Sequence, residues 1–128
     1  AAKNYLQKAD PKIISTPITR KQQYLLFEPV YEFMKNEVIR ISNNWARAQK
    51  PKYPDIDWES LDYRIQDVTV DLRYRGDYKP ESRVYIQEQV MKNQLNEFKE
   101  IISDRKIWIE RFGVPGDRFN RRINYANK

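Results

Sequence analysis

Apolar residues fall along this chain at helical spacing. From Tyr24 they run Tyr24, Phe27, Tyr31, Met34, Val38, Ile41, Trp45 and Ala48, with alternating steps of three and four. Such steps keep one helix face apolar. Leu25, Leu26, Val30, Phe33 and Ile39 widen that face near its start. Thr19, with Gln22 three residues on, is a capping-box pattern, so the first helix is expected over about 19–49. Pro29 either kinks it or opens a second helical segment. Pro51 and Pro54 end it.

A stiff connector, Lys50-Pro51-Lys52-Tyr53-Pro54-Asp55-Ile56-Asp57, leads to a second helix over about 58–75, with Asp55 or Asp57 as its cap. Its apolar line is Trp58, Leu61, Ile65, Val68 and Leu72. Val68-Thr69-Val70 has local strand preference, but burial of a whole helix face outweighs tenths of a kcal/mol per residue. Gly76 suits the left-handed position that closes a helix, and Pro80 suits the start of the next. A third helix is expected over about 80–112. Its face is Val84, Met91, Leu95, Phe98, Ile102, Ile109 and Phe112, and Gly113 and Pro115 stop it. The short 76–79 joint makes the second and third helices a hairpin.

The expected fold class is therefore all-α: elongated amphipathic helices with a helical hairpin, flanked by extended arms. An uninterrupted helix over 80–112 would be roughly 50 Å long. A globule of this chain length is only about 36 Å across. The apolar seams are thus expected to be covered by other proteins. Residues 1–18, with Pro11, Pro17 and the isolated Ile13, Ile14 and Ile18, read as an extended arm. Residues 113–128 read as a basic tail, in which Phe119, Ile123 and Tyr125 interleave with Arg118, Arg121, Arg122 and Lys128. The Ala1-Ala2 start suggests a processed N-terminus.

Composition narrows the chemistry. Val, Leu, Ile and Phe make up 31 of 128 residues, so the core is thin. Lys plus Arg exceeds Asp plus Glu by 24 to 18, a net charge of +6 that favours anionic partners. The basic residues are scattered, which disfavours a nucleic-acid footprint and fits a solvated surface. Cys and His are both absent. That removes thiol nucleophiles, disulfides, Cys/His metal sites and the commonest general base. No apolar stretch reaches the roughly 20 residues of a membrane span.

Asp55, Asp57, Glu59 and Asp62 are the densest acidic cluster. They lack the glycine and terminal Glu of a calcium loop, and carboxylates at a helix start already have a role against the helix dipole. The three glycines, Gly76, Gly113 and Gly116, form no phosphate-cradling loop. No catalytic, cofactor or metal residue is assigned. The partner-facing anchors expected are Phe27, Tyr31, Met34, Trp45, Trp58 and Phe98, with Arg118, Arg121 and Arg122 for an anionic surface such as lipid headgroups.

Three stretches carry a family resemblance. They are Pro29-Val30-Tyr31-Glu32-Phe33-Met34, continuing through Asn36-Glu37-Val38-Ile39; the Pro54-Asp55-Ile56 connector after Lys50, Lys52 and Tyr53; and Arg75-Gly76-Asp77-Tyr78-Lys79, leading into the amphipathic run from Val84 to Phe98. In this order the region 24–112 resembles the PDSW-type accessory subunit of mitochondrial respiratory complex I. The resemblance implies a non-catalytic subunit that stabilises the membrane arm, peripheral on the intermembrane-space side, with electron transfer in other subunits. Animal members carry disulfide-forming cysteines. Here the positions near Val68, Leu72 and Leu95 are aliphatic, so packing alone would hold the hairpin. The alternative is an RNA-binding peripheral protein of a ribonucleoprotein such as a mitochondrial ribosome, with the tail arginines on phosphate.

Overall fold

A computed structural model of the protein describes residues 28–128. The expected arm over 1–18, the helix start at Thr19, and Tyr24 and Phe27 lie outside the described residues. Every regular element described is helical. They are α1 (Glu28–Ala48), a 3₁₀ turn (Trp58–Ser60), α2 (Tyr63–Tyr74), α3 (Pro80–Met91), α4 (Leu95–Ile102), a π-type segment (Lys106–Arg111) and α5 (Gly116–Ala126).

Pro29 falls in the first turn of α1, where its missing N–H costs no helical hydrogen bond. The inward line of α1 is Tyr31, Val38, Ser42 and Ala46. Met34, Ile41 and Trp45 lie half-buried beside it, and Ala48 is exposed. α2 is the centre of the fold: every residue from Ile65 to Leu72 is buried. It packs most closely on α1 and α5, and α4 touches it as well. The rest of the core includes Tyr78, Ile86, Val90, Phe98, Ile102, Trp108 and Phe119.

The single rod expected over 80–112 is corrected to three shorter pieces. Asn93 makes the first break. It adopts a left-handed φ of 55°, and the chain closes around it in a Schellman turn, with Gln94 N donating to Gln89 O at 2.9 Å and Asn93 N to Val90 O at 3.2 Å. The Asn93 side chain then fixes the loop before α2, accepting from Asp62 N at 2.7 Å and donating to Ser60 O at 3.3 Å. Asp104 makes the second break. Its carboxylate takes the free N–H groups of Lys106 and Ile107, at 2.9 and 3.3 Å, and so starts a new segment. With these breaks α4 folds back on α3.

The expected C-terminal tail is also corrected. Gly113, at φ +67°, turns the chain, and residues 116–126 form α5 against α2 and α4. Its buried line is Phe119, Arg122, Tyr125 and Ala126, at steps of three, three and one. The turn residues between α2 and α3 are as expected, with Pro80 opening α3, but the two helices pack chiefly on other helices and not on each other as the expected hairpin. Gly76 has φ +81°, and Asp77 N and Gly76 N close onto Leu72 O and Arg73 O at 2.8 and 3.2 Å.

Candidate functional site

The most highly constructed polar region lies between α2 and α5. Two carboxylates of α2, Asp67 and Asp71, stand one turn apart and are buried. Asp67 accepts from the Tyr31 hydroxyl of α1 at 2.5 Å and from the Tyr125 hydroxyl of α5. Asp71 accepts from Arg122 Nε at 2.7 Å. The same guanidinium donates through a second nitrogen to Asp77 at 2.8 Å, and Arg118 donates to the same Asp77 oxygen at 3.1 Å. Arg122 is 3% exposed and Asp71 1% exposed, so this ion pair is desolvated on both sides. The other Asp71 oxygen has only Arg75 Nε nearby, at 3.5 Å, too far for a strong hydrogen bond.

A second buried network joins α1 to α3. The Tyr78 hydroxyl donates to Gln87 at 2.5 Å, and Gln87 Nε2 donates to the Ser42 hydroxyl at 2.9 Å, which lies 3.3 Å from the Tyr78 oxygen. Burial pushes the Tyr78 phenol above its ordinary value, so it stays a neutral donor. Both networks are closed by side chains, and Tyr125 also lines a surface cleft beside Arg121 and Asn124. Charge-assisted hydrogen bonds of this kind lock helices to one another. Their chemistry here is positional: α1 and α5 are held at a fixed angle to α2.

The acidic cluster of the sequence does not assemble into one centre. Asp62 caps α2, accepting from Arg64 N at 2.9 Å and from the Arg64 guanidinium, and that guanidinium holds its carboxyl below the usual range. Asp55 pairs with Arg47 at 3.0 Å, while Asp57 and Glu59 are exposed around the 3₁₀ turn. No group of three or more acidic side chains among the described residues is placed to hold a metal ion.

Several expected partner anchors are corrected to internal positions. Tyr31, Trp58 and Phe98 belong to the chain's own core: α1 packs on α2, where Tyr31 meets Asp67, and the break at Asn93 lets α4, which carries Phe98, fold back on α3. Arg122 is buried between Asp71 and Asp77, and Arg118 is tied to Asp77, so neither presents a free cation to an outside phosphate. Met34 and Trp45 keep part of their surface, and Arg121 is exposed. Asp67, Asp71, Asp77 and Ser42 were not expected as site residues. The legible signal was two aspartates a turn apart, Asp67 and Asp71, interleaved with Ile65, Val68, Val70 and Leu72.

The outer surface of α1 has its own pattern. After Pro29 its exposed positions are Phe33, Asn36, Arg40, Asn44 and Arg47, at steps of three and four, and then Ala48 at its end. Phe33 is 61% exposed. This stripe contains no carboxylate and no lysine.

Residues 1–123 match the family model described as Domain of unknown function (DUF8812). The chain belongs to this family. No curated protein and no solved structure matches it. The described residues of this family member are all-helical, as expected. No helix among its described residues is long and apolar enough to cross a membrane.

Proposed function

We propose that this chain is a non-catalytic accessory subunit of a large membrane-associated assembly, acting by protein–protein contact. The resemblance in the three stretches above directs the reading to the membrane arm of mitochondrial respiratory complex I, at the intermembrane-space side of the inner membrane. In that reading cofactors and electron transfer belong to other subunits.

The observation that carries the reading is the outward stripe of α1. Scattered exposed apolar residues are ordinary on a protein surface. Phe33 differs by its company. The exposed polar positions that follow it are two asparagines and two arginines, and the carboxylates beside them, Glu32 and Glu37, are already paired with Lys35 and Arg40. Arg and aromatic residues are enriched at protein interfaces, and Lys, Glu and Asp are depleted there. Phe33 also lies in the first stretch of the family resemblance. Its neighbour Tyr31 serves the internal core while Phe33 faces out, so the segment splits between fold and surface.

Mass spectrometry of native membrane complexes tests the reading. Recovery of the chain with membrane-arm subunits of complex I is expected, and Phe33→Ser weakens that association without unfolding the protein. Recovery as a free monomer, or with ribosomal proteins and RNA, overturns it.

A further inference from the structure

A shallow cleft of about 350 Å³ lies where α1 meets α3. It is lined by Arg40, Ile41, Asn44, Trp45 and Arg83. Two guanidiniums from different helices flank an apolar floor made by Ile41 and the Trp45 ring, with one amide beside them. No lining residue is acidic. The nearest carboxylate on α1 is Glu37, and it is already shared: Arg40 reaches it at 3.1 Å and Arg73 of α2 reaches the same oxygen at 2.7 Å. Arg83 has no carboxylate within ion-pair distance among the described residues. It rests over the Tyr78 ring, 5.4 Å from the centroid, and donates to Tyr78 O at 3.2 Å. Arg40, Arg73 and Arg83 against Glu37 leave a local excess of two positive charges.

We propose that this cleft receives an acidic side chain, flanked by an apolar residue, from the protein partner that covers the outer stripe of α1. The proposal rests on the accessory-subunit reading and names the partner's chemistry. Charge complementarity argues for it. Arg83 uses part of its guanidinium internally, and its unused N–H groups match a carboxylate in the bidentate manner that Arg favours. Ile41 and Trp45 supply the apolar contact that excludes water around such a pair. Arg40 belongs both to the cleft and to the stripe, so a partner lying along α1 from Phe33 reaches the cleft within two turns of helix. Glu37 neutralises one guanidinium and fixes Arg40 and Arg73 in place.

The test uses the full chain and two capped amphipathic peptides, one with glutamates four residues apart beside leucines and the other with glutamines in their place. The readout is the Trp45 indole N–H resonance; Trp58 and Trp108 are buried and serve as internal controls. The glutamate peptide is expected to shift Trp45, and the glutamine peptide to bind at least about tenfold more weakly, as expected on losing a partly desolvated charge pair. Arg83→Gln and Arg40→Gln, each checked for an unchanged melt, are expected to weaken the glutamate peptide similarly, while Arg121→Gln leaves it unchanged. Equal shifts from both peptides, no shift from either, or binding that survives both arginine changes would overturn the proposal. So would phosphatidylserine vesicles or inorganic phosphate producing the same shift with the same dependence on Arg40 and Arg83. Failure here leaves co-migration with complex I subunits unaffected, so the two readings fall separately.

Discussion

Arg122 and Asp71, 51 residues apart in sequence, meet at 2.7 Å with almost no access to water. The pair ties α5 to the central helix, and Asp77 completes it from the turn after α2. Burying two charges is costly, and their attraction offsets that cost only while both are present. Removing one partner therefore does more harm than removing the pair.

Arg122→Met is expected to destabilise the protein by about 3–5 kcal/mol, because Asp71 is left buried with only the Arg75 guanidinium, 3.5 Å away, to offset its charge. Adding Asp71→Leu to Arg122→Met should restore much of the loss. Urea denaturation of the two single variants and the double variant gives the coupling directly. Additive losses would contradict a paired role.

Asp67 depends on two phenols from opposite ends of the described chain. Tyr31→Phe and Tyr125→Phe each remove a donor to a buried carboxylate, at an expected cost of about 1–3 kcal/mol. The losses are expected to be non-additive, since both hydroxyls serve one group. Thermal melts of the singles and the double measure this. A neutral Tyr125→Phe would mean that this hydroxyl adds nothing to the hold that Arg118, Arg122 and the buried Phe119 give α5.

Thr69 sits in the fully buried middle of α2, and its hydroxyl has no hydrogen-bond partner. A buried hydroxyl without a partner costs free energy. Thr69→Val removes the hydroxyl and keeps the branched shape, so it should raise stability by about 1 kcal/mol. A higher urea midpoint with unchanged slope is the expected result.

Asp62 joins capping to pH dependence. The Arg64 guanidinium holds its carboxyl below the ordinary value of 3.8. The unfolded chain therefore binds the proton more readily. The stabilisation is present above that ordinary value and is lost as pH falls through the lower folded value. Asparagine caps a helix as well as aspartate does. Asp62→Asn should thus keep the cap at neutral pH and flatten the fall in melting temperature between about pH 5 and 3. Asp62→Ala loses the cap too, and should cost about 0.5–2 kcal/mol at neutral pH.

Much of the fold was legible because its signals are local. The step pattern marks α1, Gly76 and Pro80 mark the joint after α2, and Gly113 and Pro115 mark the turn before α5. The breaks at Asn93 and Asp104 were missed because apolar periodicity runs on through them: Met91, Leu95 and Phe98 keep helical spacing even though a left-handed residue intervenes. Asn93 and the Ser103-Asp104 pair carried the information, as an αL-tolerant residue and an N-cap, but neither disturbs the apolar count. The α2–α5 network was hidden for another reason. Spacing arithmetic places charged residues on the outside, and nothing local to Asp71 announces an arginine 51 positions later. The chain that looked too polar to cover its own seams covers them by putting four side chains, Asp67, Asp71, Arg122 and Tyr125, into the interior together.

This arrangement also sets an order of events at the ribosome. α2 emerges well before α5, and until residues 116–126 follow it, one face of the central helix carries two carboxylates whose later partners have not yet been made. Chains grow from the N-terminal side at some 5–20 residues per second. Native packing around Asp67 and Asp71 therefore waits until Arg122 and Tyr125 have been made.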